Sequence, residues 1–420
     1  MRFSVLALLL TTAVSTAFVM GACSLESADE GGGGDPDGSA GEGGAGDPDG
    51  SADIDGSAKV DSGDAGGTDG AIDGAVDAGT PAVQFIGRFD TGDVLGPRTA
   101  WPGTRIVATF DGTGVDVKLT QTNGFSGGPT YFNIIVDGAF TNMVSVTGTQ
   151  TIAIASGLAA GPHTIELEKR TEAPFGTVRF EGFTFAGGAG LLPPPARLAR
   201  RLEFLGDSTI DGYGVDGDRN VTCTGGTAPP VYNDVRKSVA WKTAKTVGAE
   251  LSLMGYSAKG IARNEDGQVV DPFPTVYART LPDVAGAWNF ASYVPDAVVI
   301  TLGGSDYSGD PNGTFPADFT TAYAQLVTDI RARYGAATHV FLTVWSQHKG
   351  YNNVRQTITA AINTVVAARP AGEKTYAFSF TESPNPDLNE TGCQYHANDQ
   401  HHTNMAAELV TFIKGKIPGW

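Results

Sequence analysis

The chain has 420 residues, 57 of which are glycine, and carries a formal net charge of −18 at neutral pH. A chain of this length has room for two domains with hydrophobic cores of their own and for additional segments. Because lysine and arginine are not clustered anywhere along it, the composition argues against a nucleic-acid-binding protein.

Residues 1–23 have the pattern of an export signal. A positive charge precedes an apolar stretch over residues 5–20, which is too short to span a membrane comfortably, and two small residues separate this stretch from Cys23. A cysteine in this position resembles the bacterial lipoprotein signal, in which Cys23 becomes the lipidated first residue. We therefore expect a cell-surface or periplasmic lipoprotein anchored to a membrane through Cys23, with plain secretion as the alternative.

Residues 24–80 contain 15 Asp and Glu residues and one lysine among Gly, Ala and Ser. Such a segment buries too little apolar surface to offset the entropy of ordering, and its charges repel one another. We predict a disordered Gly/Asp-rich tether here. Calcium binding by its Asp-Gly repeats is a less favoured alternative, because the aliphatic residues that would pack a repeat core are mostly missing.

From residue 82 apolar and polar residues alternate with a period of two, which is typical of strands with one buried face. Eight strands are predicted, at residues 83–89, 105–110, 115–119, 131–136, 143–146, 149–154, 163–168 and 178–185. So many short strands, joined by Asp-Gly turns, favour an all-β sandwich over residues 81–190, most simply a jelly roll. The proline-rich residues 191–200 form the predicted linker.

Residues 201–420 alternate between strands and helices, which predicts an α/β domain with a mostly parallel sheet. The strands are expected at 201–205, 250–254, 297–302, 339–344 and 375–380, and the helices at 237–248, 316–334, 352–369 and 403–415. Ligands of such sheets bind beyond the C-terminal strand ends. The candidate site residues that follow predicted strands are Ser208, Gly260, Ser305, Trp345 and His396.

Ser208 is the candidate nucleophile, because it follows the first predicted strand in the sequence Gly-Asp-Ser. A serine on a tight strand-to-helix turn, with a histidine near the far end of the domain, is how serine hydrolases present nucleophile and base. His396 is that histidine. The expected oxyanion donors are the backbone N–H groups of Ser208 and Gly260 and the hydroxyl of Ser305, with an ordinary loop as the alternative. Asp207 is expected to be a structural hydrogen-bonding residue of the turn.

The order of these motifs resembles that of the SGNH (GDSL-type) hydrolase superfamily, and a jelly roll placed before the hydrolase domain resembles carbohydrate esterase family 2. The supporting stretches are residues 206–215, 256–264 and 392–396, within a resemblance that covers about 82–420. It implies a serine carboxylic ester hydrolase that removes acetyl groups from plant polysaccharides or oligosaccharides of the xylan or mannan type. It implies no metal or cofactor, and we expect a monomer.

Two positions depart from the superfamily pattern. The third motif normally contains Gly-x-Asn-Asp, whose asparagine donates to the oxyanion, and Ser305 takes that place here. An aspartate often lies three residues before the histidine, where this chain has Cys393. Family 2 includes esterases with a Ser–His dyad oriented by a backbone carbonyl, so we assign no catalytic acid. Asp387 and Asp399 stay as less favoured alternatives.

Cys223 and Cys393 are the cysteines that follow the signal segment. An even number of cysteines in an exported protein predicts a disulfide, which would join the segment after the nucleophile to the loop of His396. Two unpaired buried thiols are the alternative.

Aromatic residues and two further histidines lie near the predicted site. Tyr307, Trp345 and Tyr395 suit stacking on sugar rings, although a core position is equally expected for each. His401 and His402 lack the spacing of a zinc-binding helix, so we interpret them as the solvated start of the last helix.

The leading hypothesis is therefore a carbohydrate O-acetyl esterase. The alternatives are a non-catalytic carbohydrate-binding surface protein with a decayed hydrolase site, motivated by Ser305 and the missing acid, and another short-chain acyl hydrolase.

Overall fold

The computed structural model describes residues 82–122, 128–187, 190–218, 223, 228–346, 352–382 and 391–420. All of them belong to one compact unit, Asp69–Trp420. The predicted signal segment with Cys23 and the predicted tether lie outside the described residues, as does Asp387. No helix in the described part of the chain is both long enough and apolar enough to cross a membrane.

The first domain is an antiparallel β-sandwich, as the alternating pattern predicts. One sheet has the strand order β1-β3-β8-β5-β6, with β10 also paired to β3, and the other has the order β2-β9-β4-β7. The strands are β1 Gln84–Ile86, β2 Arg98–Thr99, β3 Arg105–Asp111, β4 Gly114–Thr122, β5 Thr130–Val136, β6 Ala139–Val146, β7 Thr149–Ala155, β8 Pro162–Lys169, β9 Thr177–Ala186 and β10 Leu191–Leu192. The eight predicted strands are confirmed. The two-residue strands β2 and β10 were not predicted, and β10 lies within the predicted linker.

The second domain is an α/β domain with a five-stranded parallel sheet. Its strand order is β12-β11-β13-β14-β15, built from β11 Arg200–Gly206, β12 Ala249–Gly255, β13 Ala297–Thr301, β14 His339–Val344 and β15 Thr375–Ser379. All five residues of the central strand β13 are buried. A strand buried on both faces needs an apolar run, and the first four residues of β13 form one.

Helices cover both faces of this sheet. They are α1 Val239–Val247, α2 Phe273–Tyr277, α3 Gly304–Ser308, α4 Phe319–Tyr334, α5 Asn352–Ala367 and α6 Asp399–Lys416. One core cluster contains residues of α4 and α5, and a second contains residues of α1 and α6, so the sheet lies between two helical layers. Asn398 caps α6 by accepting the N–H of His401 at 3.0 Å, which fixes the start of this helix three residues after His396.

Arg88 of the β-sandwich is buried in the α/β domain. Its Nη2 lies 3.3 Å from Glu203 Oε1 on β11, and both side chains are almost fully buried. The guanidinium also donates to the carbonyls of Tyr277 and Arg279. Its carbon CZ lies 4.7 to 5.9 Å from the ring centroids of Trp101, Tyr277, Trp288 and Phe290. This aromatic cage fixes the two domains to each other, because a buried cation needs both its counterion and its hydrogen-bond acceptors.

Candidate active site

Ser208 lies in the turn that follows β11. The turn requires glycine at position 206, because a Cβ there would lie 2.7 Å from the carbonyl oxygen of Thr301 on the neighbouring strand. Ser208 Oγ lies 2.7 Å from Nε2 of His396. The structure thus brings together two residues separated by 188 positions in the sequence, at the C-terminal edge of the parallel sheet.

The second ring nitrogen of His396 contacts the main chain. Nδ1 lies 3.2 Å from the carbonyl oxygen of Gln394. This contact assigns the proton to Nδ1, so Nε2 accepts the hydroxyl proton of Ser208. Asp399 is half-exposed and forms an ion pair with Lys242 at 2.7 Å. Among the described residues, the group that orients the imidazole is therefore a carbonyl.

Burial lowers the pKa of His396 to about 4, and its hydrogen bonds to the carbonyls of Gln394 and Cys393 offset this only in part. The imidazole is consequently neutral at pH 7. A neutral imidazole in hydrogen-bond contact with a hydroxyl can accept its proton, which is the role of a general base.

The loop before His396 has an unusual backbone. Gln394 and Tyr395 have φ angles of 50° and 61°, a left-handed conformation that non-glycine residues rarely adopt. The predicted disulfide between Cys223 and Cys393 is confirmed, with the Cα atoms 5.2 Å apart. The loop is also held by the Tyr213 hydroxyl, which donates to Gln394 Oε1 at 2.7 Å. These contacts fix the carbonyl that orients the histidine.

The predicted oxyanion donors differ in their present partners. The Gly260 N–H contacts Asn264 Oδ1 at 3.4 Å, a long bond that an oxyanion would outcompete. Position 260 requires glycine, since a Cβ would lie 1.9 Å from the carbonyl oxygen of Arg263. The Ser305 hydroxyl donates to Asp207 Oδ2 at 3.3 Å. It would have to rotate away from Asp207 before it could donate to a substrate.

Asp207 and Asp306 hold the turns around these donors. Asp207 accepts from the backbone N–H and the hydroxyl of Thr209, at 3.0 and 2.7 Å, which confirms its structural role. Burial raises the pKa of Asp207. Asp306 on α3 accepts the N–H groups of three successive residues of the Gly260 loop, at 2.7 to 3.0 Å: Ile261, Ala262 and Arg263. The loop of Gly260 is thereby fixed to α3.

Of the three predicted substrate aromatics, Tyr395 best fits that prediction. It is 64% exposed and precedes His396. Tyr307 is partly buried and packs against Phe315, with 5.6 Å between ring centroids. Trp345 is only 4% exposed and packs in the core, which is the position that the sequence left as the equal alternative to a sugar contact.

His401 and His402 are buried, in contrast to the predicted solvated helix start. Nε2 of His401 lies 2.6 Å from the hydroxyl of Ser346, and Nδ1 of His402 accepts the N–H of Val239 at 3.1 Å. The two histidines therefore join α6 to the segment that follows β14 and to α1. Among the described residues, no group of three or more His, Cys, Asp or Glu side chains is arranged to hold a metal ion.

Two family models match the two domains. The model of the carbohydrate esterase 2 N-terminal domain matches residues 85–195, and that of the GDSL-like lipases and acylhydrolases matches residues 202–409. A family two carbohydrate esterase from Clostridium thermocellum, solved in complex with cellohexaose, superimposes with a TM-score of 0.71 and 33% sequence identity, over 80% of this chain and 99% of that one. The chain belongs to carbohydrate esterase family 2.

Curated relatives of this family 2 chain are esterases. Cellulase/esterase CelE of Acetivibrio thermocellus is 36% identical over 82% of this chain, which spans 40% of the length of CelE. An acetylxylan esterase / glucomannan deacetylase of Cellvibrio japonicus is 24% identical over 82% of this chain and 91% of that protein. The family and fold expected from the motifs are thus confirmed.

Two residues of the candidate site in this family 2 member were not predicted from the sequence. Tyr213 packs against His396, with 4.6 Å between ring centroids, and holds Gln394. Its position five residues after the nucleophile was a usable signal. Asn264, which accepts from Gly260, had no such signal, because its contact depends on how the loop folds back.

Proposed function

We propose that this family 2 member is a carbohydrate O-acetyl esterase in which Ser208 is the nucleophile and His396 the general base. The contact of 2.7 Å between Ser208 Oγ and His396 Nε2 carries the proposal. The neutral imidazole, oriented by the Gln394 carbonyl, supports it. No carboxylate is assigned a part in the reaction.

In the first half of the proposed reaction, Ser208 Oγ attacks the acetyl carbonyl carbon while its proton moves to Nε2 of His396. The tetrahedral oxyanion accepts hydrogen bonds from the N–H groups of Ser208 and Gly260, with the Ser305 hydroxyl as the third donor after rotation. The imidazolium keeps its Nδ1–H on the Gln394 carbonyl. The C–O bond to the sugar then breaks, and the sugar oxygen takes the proton from Nε2.

In the second half, a water molecule gives a proton to Nε2 and attacks the acetyl-serine. The second tetrahedral intermediate collapses to acetate, and Ser208 Oγ recovers its proton from His396. Because its pKa is lowered to about 4, the imidazolium of His396 returns its proton readily in both halves. The low pKa slows the two attack steps instead, because the same imidazole is a weak base when it has to accept a proton.

The proposed substrates are acetylated plant polysaccharides or oligosaccharides. The relatives named as acetylxylan esterase / glucomannan deacetylase support xylan and mannan backbones. The exposed ring of Tyr395 beside His396 supports stacking against a sugar at the reacting ester.

Acetate release from acetylated xylan and acetylated glucomannan tests the proposal. Ser208→Ala is expected to abolish release, because no other group at this position can form the acetyl-enzyme. Ser346→Ala is the matched control: Ser346 also contacts a histidine, His401, but it is buried. Full activity of Ser208→Ala on both polymers would refute the mechanism.

A non-catalytic carbohydrate-binding protein is the second candidate. The Ser305 hydroxyl, which donates to Asp207 where the superfamily has an asparagine, favours it. Reaction of the wild-type protein with a small organophosphonate separates the two candidates. Covalent labelling of Ser208 excludes a decayed site, and its absence at reagent concentrations that label other serine esterases excludes the esterase. A series of acyl-chain lengths then separates an acetyl esterase from other acyl hydrolases.

A further inference from the structure

Residues 169–172 of the β-sandwich form a segment, here called the strap, that connects the end of β8 to a short turn of 3₁₀ helix. All four residues are buried although three of them are charged, with exposures of 0 to 6%. Lys169 stabilises the segment by donating from Nζ to the carbonyls of Thr171 and Glu172, at 2.8 and 2.9 Å. Charged residues are rarely buried without a specific partner. Arg170 and Glu172 of the strap also have partners in the α/β domain.

Arg170 of the strap contacts the segment beside the nucleophile turn. Its guanidinium forms ion pairs with Asp216 and, at 2.6 Å, with Asp234. Asp234 lies directly against Gly212 of the nucleophile turn, where a Cβ would approach the Asp234 carbonyl oxygen to 2.2 Å. The backbone N–H of Asp234 also donates to the Gly212 carbonyl at 3.0 Å. The strap therefore holds one side of the turn that carries Ser208.

Glu172 of the strap contacts the loop of Gly260. Its Oε2 accepts the backbone N–H of Ser257 at 2.9 Å. Ala258, the next residue, has a φ of 66°, which is unfavourable for alanine and must be maintained by contacts on either side. Asp306 anchors residues 261–263 at the far end of the loop. Gly260 thus lies between an anchor from α3 and an anchor from the other domain.

We propose that Glu172 is a positioning residue for the esterase reaction, whose side-chain oxygen Oε2 holds residues 257–260 in the conformation that presents the Gly260 N–H to the oxyanion. This inference rests on the proposed function, because it assigns Gly260 as a donor. Through Glu172, the β-sandwich affects the rate of the reaction without contacting the substrate. A donor displaced by about 1 Å can cost on the order of 100-fold in rate, so a single hydrogen bond at the loop base has a measurable effect.

Three variants test the proposal. Glu172→Met keeps the side-chain length but cannot accept from Ser257, whereas Glu172→Gln keeps an acceptor oxygen. Trp241→Phe is the matched control, because it removes another hydrogen bond between the domains, from Trp241 Nε1 to the buried Glu168 at 3.0 Å. Should Glu172→Met not fold, Glu172→Asp withdraws the acceptor by one methylene and gives the same comparison.

The readouts are kcat and KM on an acetylated xylo-oligosaccharide, the rate of Ser208 phosphonylation, and hydrogen exchange of the amides of residues 257–263. Glu172→Met is expected to lower kcat and the phosphonylation rate by about 10- to 100-fold, with KM nearly unchanged and faster exchange at Ser257. Glu172→Gln is expected to restore most of both rates, and Trp241→Phe to change neither.

Wild-type phosphonylation in Glu172→Met would overturn the proposal, and so would an equal loss of rate in Trp241→Phe. If the wild-type protein released no acetate from any acetylated sugar, the proposed substrate class would fail. The phosphonylation rates would still decide the role of Glu172, since this reagent forms a tetrahedral adduct on Ser208 whatever the natural substrate is.

Discussion

The pH dependence of the reaction is expected to differ from that of an ordinary serine esterase. Burial lowers the pKa of His396 to about 4, and its orienting partner is the Gln394 carbonyl, which has no full negative charge to stabilise the imidazolium. With this pKa, about 97% of the imidazole is neutral at pH 5.5, against about 9% for a histidine of pKa 6.5. We therefore predict that kcat/KM varies by less than about twofold between pH 5.5 and pH 7.5.

The assay measures acetate released from an acetylated xylo-oligosaccharide, because this substrate has no group that titrates in the range. Activity after return to pH 7 controls for acid inactivation. An inflection of slope one between pH 6 and pH 7 would refute the reasoning, since it would show that the imidazolium is stabilised in the free enzyme. Titration of the His396 ring by NMR in Ser208→Ala reports the same pKa without turnover.

The same pKa shift makes the fold less stable in acid. Because the folded state disfavours the imidazolium, the unfolded chain binds the proton first, and stability is highest above the unfolded pKa of about 6.5. It is lost as the pH falls from there to about 4. A shift of this size corresponds to about 3 kcal/mol between pH 7 and pH 4. In urea unfolding, the free energy of unfolding of His396→Gln should fall by about this much less between pH 7 and pH 4 than that of the wild-type protein. An unchanged pH dependence would contradict the lowered pKa of His396.

Three further predictions follow from single contacts. Arg88→Met leaves Glu203 buried without its cation and is expected to lower the free energy of unfolding by about 3 to 5 kcal/mol in urea; a loss below about 1 kcal/mol would contradict the buried ion pair. Cys223→Ser and Cys393→Ser are expected to lower kcat equally, because each removes the bond that ties the histidine loop; full kcat in Cys223→Ser would show that the bond is dispensable. Ser305→Asn is expected to raise kcat by about tenfold, because an amide reaches past Asp207 toward the oxyanion, and a folded variant with unchanged kcat would oppose this.

The regular elements could be predicted because their periodicity reflects burial. Alternating apolar and polar residues revealed the sandwich strands, and the succession of strand-like and helix-like stretches revealed the parallel sheet. The proximity of Ser208 and His396 also followed from sequence, since parallel strand ends meet at one edge of a sheet. The disulfide was predictable for a different reason: an even number of cysteines in a chain that is predicted to be exported usually forms disulfides.

The contacts of single polar side chains could not be predicted in the same way. A polar side chain is usually buried only where the fold provides a hydrogen-bond or ion-pair partner. In the examples below, that partner lies far away in the sequence. The prediction of a solvated His401 is wrong because nothing local in the sequence indicates its contact with Ser346, 55 residues earlier. The same holds for Arg88, whose partner Glu203 lies 115 residues later. Trp345 shows a second limit of prediction from sequence: an aromatic residue at a strand end fits a core position and a sugar site equally well.

In the proposed mechanism, the backbone of the histidine loop replaces the acid that is missing at position 393. A carboxylate three residues before the histidine would orient the ring by its charge, whereas a carbonyl orients it only if the backbone aims the oxygen at Nδ1. Two successive residues, Gln394 and Tyr395, have a positive φ, and this backbone conformation directs the Gln394 carbonyl oxygen at Nδ1. The conformation is energetically unfavourable for residues other than glycine. The N–H of Cys393 donates to the Gly214 carbonyl at 2.9 Å, and the N–H of Gly392 donates to the His396 carbonyl at 2.8 Å. Together with the disulfide, these contacts maintain a strained conformation, so in the proposed mechanism the backbone beside Cys393 orients His396 as an aspartate side chain at that position would.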